Sequence, residues 1–559
     1  MERTGENMSK TVVLGIDGAT PSLLLPWAKQ GRLPNLGRVL RDGAHGTLRS
    51  TTPPYSAQAW VSMMTGRQPS KHGVVDFFER EAGRPKHAFI HSASIQGEAL
   101  WDILSRDGKR VGIVNVPLTY PPVPVNGYMV SGFMTPKGRD DYTHPPELRD
   151  SILSVTGQYD PDPWDLTSPG QDLESFGNWM AIAELAACHL HDTQDVDFYI
   201  SVIQALDQLQ HHFWDLLADE EARFTPRGKQ VWPSLEACYA AMDEAIGTRL
   251  TWLDGDTTLF LASDHGFQAA RSWFHVNRWL ADSGFLHFAA SRATRGRSML
   301  AKMGLTRENV KTWVRRLDPL SLRRALGRFT RAAIADSLDD TLALPVDWAR
   351  TEAYSGSRTS EGIYINLKGR EANGIVSPGA NYETVRNRVI EELVALTDPF
   401  TGQPAVSAVY RREELYSGEY LERMPDILFA LDDKPYLVSE STSTTQVFGP
   451  LSTADVTGRH HSLGLFAAVG PNIVPGIRVE AQIVDLAPTV LYSLGLPIPQ
   501  EMDGRVLVEI FVERYRRLHP VRYEDAGYRG PAADPEPAPF SAEEDADIED
   551  RLRALGYLD

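Results

Sequence analysis

The chain has 559 residues, 42% hydrophobic, 23% charged and 9% aromatic, which excludes a disordered or collagen-like chain. Acidic residues outnumber basic ones 74 to 56, a formal net charge of -18, so coating a nucleic acid duplex is not expected. Two cysteines, Cys188 and Cys238, are too few for a disulfide framework, and no apolar run approaches the roughly 18 residues of a membrane span.

The N-terminus MERTGENMSK lacks the apolar stretch of a signal peptide, and Met8 is an alternative start. A cytoplasmic location is the resulting expectation. TVVLGID (11–17) reads as a buried strand, and 20–42 has helical periodicity. ALWDILSRDGKRVGIVNVP (99–117) reads as helix, turn and strand. The same alternation returns at 235–262 and at 462–497, where Gly495 ends a helix. This pattern predicts an α/β fold, with one mostly parallel central sheet built from distant segments and flanked by helices. A single catalytic domain over 8–510 is expected, with an extension over 511–559.

Two segments depart from the average composition. Residues 291–340 carry 12 Lys or Arg against 5 Asp or Glu. The plain reading is a solvated helical insertion within about 290–345. The sharper one is a basic cap over an anionic substrate, or a peripheral contact with acidic lipid. Residues 531–550 are rich in Pro, Ala and acids and read as a flexible linker, after which RLRALGYLD could dock as a short helix.

Asp17 follows the first strand in GIDGA, where ligands gather in α/β folds, although Asp-Gly also simply makes turns. Ser56 follows Pro53 and Pro54 and precedes a helical run. It reads either as an N-cap or as a nucleophile at a helix N-terminus, where exposed amides favour an alkoxide and a phosphoryl oxygen. Asp207 and His211 stand four apart on a predicted helix, sharing one face. Asp264 and His265 end a strand in SDHGF, and GRHHSLG offers His460 or His461. Each piece alone is surface decoration as readily as chemistry. Together they fit two cations, one held by Asp207, His211 and His460, the other by Asp17, Asp264 and His265, with Ser56 between them.

These motifs, in this order, resemble the alkaline phosphatase superfamily. The branch they resemble most is the type I phosphodiesterase/nucleotide pyrophosphatase group and its bacterial predicted phosphohydrolases and phosphomutases. GKRVGIVNVPLTYPP (108–122), YINLKGRE (364–371), MPDILF (424–429) and MDGRVL (502–507) are similar too, so the resemblance covers most of 10–510. It implies a bimetal site, usually zinc with manganese as the alternative, and a covalent phosphoserine on Ser56. His460, rather than His461, holds the family's G-x-H position. Ser56 and Ala59 stand where nucleotide pyrophosphatases typically carry Thr and Asn, so Ala57 and Gln58 become the candidates for contacting substrate. The residues after Ser56 do not make a sulfatase motif, and Tyr55 replaces the Asp of alkaline phosphatases proper.

The implied activity is hydrolysis of a small phosphate ester or nucleotide-like substrate. A phosphomonoesterase or phosphomutase on the same site is the alternative, and a non-catalytic binding protein with this fold is the reading from another class. The oligomeric state is not legible.

Overall fold

A computed structural model describes residues 9–79, 88–162, 173–289, 344–356, 361–451, 456–525 and 540–554. The basic segment 291–340 and residues 531–539 of the expected linker lie outside the described residues.

Nine strands form the central sheet: β1 (Lys10–Ile16), β2 (Ala44–Arg49), β3 (Val111–Val116), β4 (Gly127–Ser131), β5 (Thr143–His144), β6 (Phe198–Ile203) and β7 (Thr257–Ala262), followed, beyond the short strands β8 (Gly266–Ala269) and β9 (Gly458–His461), by β10 (Leu463–Val469) and β11 (Arg478–Gln482). Their order is β11-β2-β10-β7-β1-β6-β3-β4-β5. β1 lies parallel between β6 and β7, with Thr11 opposite Phe198 on one side and Thr258 on the other. β10 is antiparallel to both neighbours. The sheet is thus mixed but mostly parallel, and its centre joins residues nearly 250 positions apart.

β1 shows why this sequence forms a central strand. Its run TVVLGI is buried throughout, as a parallel strand covered on both faces must be. Val12, Leu14 and Ile16 enter the apolar layer on one face, with Trp27, Leu206 and Met242. Val13 enters the opposite layer with Trp60, Ile200 and Phe466. This is the two-residue period of a strand. Gly15 is obligatory here, because a Cβ would come 2.6 Å from the Trp60 ring.

Other elements differ in detail from expectation. The helical pattern over 20–42 divides into Pro21–Lys29 and Pro34–Asp42, each starting on a proline suited to the first helical turn. The helix before β7 begins at Pro226, nine residues before the predicted run. Residues between β8 and β9 build two further sheets over their own core, which includes Phe274, Ile363, Val389 and Phe429. The terminal helix Ala542–Ala554 starts inside the stretch expected to be linker; there the linker reading is wrong, because Ile548 and Leu552 find an apolar surface to bury in. No helix among the described residues is long and apolar enough to cross a membrane.

Candidate active site

Ligand sites in open α/β sheets form beyond the carboxyl ends of the strands. Three of the central strands deliver candidates there. Asp17 follows β1, and its amide donates to Ile203 O, 3.0 Å away at the end of β6. Asp264 and His265 follow β7. Beyond β6, helix α2 (Ala205–Ala218) carries Asp207 and His211 on one face. α2 comes after α1 (Ser56–Thr65), which brings Ser56 to the same place. β9 pairs antiparallel with β8, setting His460 opposite Phe267.

Ser56 is the first residue of α1, and Tyr55, in extended conformation, occupies the N-cap. The expected capping role for Ser56 therefore moves one residue back. Its Oγ lies 3.0 Å from His265 Nε2. Around it the other six candidate residues converge, and all seven are buried. His265 Nε2 is 3.1 Å from Asp264 Oδ2 and 3.5 Å from Asp17 Oδ1. His460 Nε2 is 3.2 Å from Asp207 Oδ1 and 3.0 Å from His211 Nε2. Asp207 Oδ1 is 3.5 Å from His211 Nε2 and 3.8 Å from His265 Nε2, so the two groups adjoin. The donor atoms of Asp17, Asp264 and His265 all lie within 4.8 Å of one another, as do those of Asp207, His265 and His460.

The histidines are oriented from behind. His460 Nδ1 is 2.8 Å from Pro54 O, His211 Nδ1 3.3 Å from Gly458 O and His265 Nδ1 3.2 Å from Gly266 O. A carbonyl can only accept, so each Nδ1 carries the proton and each Nε2 turns a lone pair inward, the arrangement of metal-ligating histidine. Burial pushes His265 and His460 down to about 4, keeping both neutral at neutral pH.

Burial also drives Asp17 well above the ordinary carboxylate range, with Asp264 and Asp207 adding repulsion. Asp264 is raised by burial and by Asp207, against the pull of His265. On Asp207 burial acts upward too, but His211 and His460 outweigh it and hold its carboxyl low. No lysine or arginine pairs with these three carboxylates among the described residues; their charged-group partners are histidines. Asp17 Oδ1 and Asp264 Oδ2 are buried without a hydrogen-bond donor among the described residues. Facing imidazole lone pairs and unpaired buried carboxylate oxygens are costly alone, and divalent cations satisfy both. The residues present therefore fit a divalent metal site.

The family model for type I phosphodiesterase/nucleotide pyrophosphatase matches residues 11–463. The chain belongs to that family. It thereby belongs to the alkaline phosphatase superfamily, and its fold is consistent with the alkaline-phosphatase-like architecture. No curated protein matches the chain. The matched span contains all seven candidate residues.

Around this candidate site of the phosphodiesterase-family chain, several supports were not legible as site residues. Trp60 Nε1 donates to Asp17 Oδ2 at 3.1 Å. Gln210 donates to Gly18 O at 2.7 Å and accepts from Thr20 at 2.8 Å, locking the GIDGA turn to α2. Ser263 Oγ accepts from Ala19 N at 2.7 Å and donates to His265 O at 2.7 Å. Their only signal was adjacency: Gln210 lies inside DQLQH, Ser263 beside Asp264, and Trp60 one helical turn beyond Ser56.

The remaining candidates fall as follows. His461 points away from the site, accepting from Leu463 N at 3.1 Å, because neighbours on a strand face opposite sides. Ala57 packs in an apolar cluster with Val61 and Phe133. Gln58 is buried, its amide nitrogen donating to Pro53 O while Oε1 has no partner among the described residues.

Proposed function

We propose that this protein hydrolyses phosphoric diesters through a covalent phosphoserine on Ser56. The observation that carries the reading is the Ser56 hydroxyl at a helix N-terminus, 3.0 Å from His265 and beside two adjoining donor groups. Asp17, Asp264 and His265 would hold one divalent cation together with Ser56, and Asp207, His211 and His460 the other. Zinc suits this nitrogen and carboxylate set, and manganese is the alternative. Cations bound there supply Lewis acidity, lowering the hydroxyl pKa and neutralising charge on the phosphoryl group.

Ser56 Oγ attacks phosphorus in line, its bond to phosphorus forming as the bond to the departing alkoxide breaks. The hydroxyl proton leaves to solvent and the departing oxygen gains one. Water then attacks the phosphoserine, releasing the phosphate product and restoring Ser56. The backbone amides of Ala57 and Gln58, in the first turn of α1, are the donors we assign to a phosphoryl oxygen. That places both residues in substrate binding through their main chain. A diester brings one negative charge and a monoester two. With three carboxylates and, among the described residues, no lysine or arginine paired to them, the smaller charge is the better fit, which favours the diesterase over the phosphomonoesterase or mutase.

Metal analysis of the purified protein, beside hydrolysis of an activated phosphodiester and the matching monoester, tests this. Two equivalents of zinc or manganese and a preference for the diester are expected. Chelation should abolish hydrolysis, and adding either metal should restore it. Full activity after complete metal removal overturns the metal assignment, and a faster monoester overturns the substrate class.

A further inference from the structure

The loop before the nucleophile has an unusual difficulty. Residues 50–55 read Ser-Thr-Thr-Pro-Pro-Tyr, so two consecutive positions lack a backbone donor. Such a loop cannot be held by a ladder of its own main-chain hydrogen bonds. Yet it must be fixed closely, because it ends at Ser56 and because Pro54 O orients His460 at 2.8 Å.

The structure holds it from outside. Tyr416 comes from the inserted region between β8 and β9, directly after the short helix Arg412–Leu415. Its hydroxyl accepts from Thr52 N at 2.7 Å and donates to Thr52 O at 2.9 Å. One phenol oxygen thus satisfies both backbone groups of the residue before Pro53. The ring is anchored separately, in an apolar cluster with Met424 and Leu428 and with Val75 against it. The residues that follow grip the far end of the same segment. Tyr420 N donates to Ser70 O at 2.8 Å, and Ser70 Oγ donates to Ser417 O at 3.0 Å. The insertion therefore brackets α1, with Tyr416 on the loop that enters it and 417–420 on the short helix Pro69–His72 that follows it.

We propose that Tyr416 is a positioning residue for the reaction, setting the Thr52–Pro54 loop so that Ser56 and the His460 imidazole take their working places. This inference rests on Ser56 being the nucleophile. Tyr416 acts through the loop and touches no reacting atom. A displacement of Ser56 by a fraction of an ångström weakens in-line attack far more than it weakens substrate binding, so the effect belongs in kcat.

The test is Tyr416→Phe, which keeps the anchored ring and removes only the hydroxyl. Tyr420→Phe is the control, since the Tyr420 ring lies in the same segment under the Arg423 guanidinium and its hydroxyl has no partner among the described residues. Turnover of an activated diester is measured beside Ser56→Ala, with metal content and melting temperature for each variant. For Tyr416→Phe, kcat should fall about ten- to a hundredfold with KM within about twofold, because misplacement penalises the transition state. Metal content should stay unchanged, and Tyr420→Phe should behave as the parent protein. Unchanged kcat in Tyr416→Phe overturns the inference, as does a loss matched by Tyr420→Phe or fully accounted for by a fraction of unfolded chain. If Ser56→Ala keeps full turnover, the nucleophile reading itself falls and this inference with it. If only Ser56→Ala is inactive, the positioning role alone is wrong.

Discussion

Replacing Ser56 with alanine is expected to lower diester turnover by about three orders of magnitude or more while leaving the metals bound. The two halves of this result have separate causes. Turnover falls because the only proposed nucleophile is gone, and the residual rate is what cations and amides achieve with water alone. Metal binding persists because Asp17, Asp264 and His265 still converge, with His265 Nε2 3.5 Å from Asp17 and 3.1 Å from Asp264. Mass spectrometry after brief exposure to an activated diester should show a phosphorylated Ser56 in the parent and none in the variant. Ser56→Thr keeps the hydroxyl, and as a β-branched residue in a first helical turn it should retain turnover within about tenfold. An alanine variant that keeps both its metals and its full rate would sink the covalent mechanism.

How far this site was legible depended on whether a residue's role is local. Asp17, Asp264 and His265 announce themselves because each follows an apolar run that reads as a buried strand, and strand ends are where α/β folds place ligands. Asp207 and His211 follow from helical spacing. Tyr416 had no such signal. Its partner Thr52 lies 364 positions away, and nothing within RREELYSGEY distinguishes a loop-clipping tyrosine from a core one. The sheet was legible as parallel units, but the antiparallel placement of β10 was not. An apolar strand reads the same in either direction, and its orientation is decided by the chain's long return through the insertion. The ending was misread in part for a related reason. AEEDADIEDRLRA is solvated by composition, and only the surface waiting for Ile548 and Leu552 makes it a docked helix.

That docking surface sets the second large effect. The terminal helix Ala542–Ala554 buries Ile548 and Leu552 in a cluster shared with Ala57 and Val61 of α1 and with Phe133 and Met134. Arg551, itself buried, pairs with the buried carboxylate of Asp162, which also accepts from Met134 N at 3.3 Å. Around the rim, Lys137 meets Asp547 at 3.4 Å and Arg139 meets Glu544 at 3.4 Å, exposed pairs worth roughly 0–1 kcal/mol each. The buried pair is different. Arg551→Met removes one partner and strands Asp162, which should cost about 3–5 kcal/mol at neutral pH. The loss should also depend on pH. Burial pushes Asp162 up to about 6 even with Arg551 beside it. A carboxyl raised on folding costs nothing below its unfolded pKa of about 4; its cost grows as pH rises from there to the folded value and is constant above it. Without Arg551 the folded value moves higher still, so the variant keeps losing stability above pH 6 where the parent has levelled off. Melting curves of the two proteins should therefore nearly coincide close to pH 4.5 and separate fully by pH 8. A gap that stays constant across that range would show that Asp162 is not the group left behind.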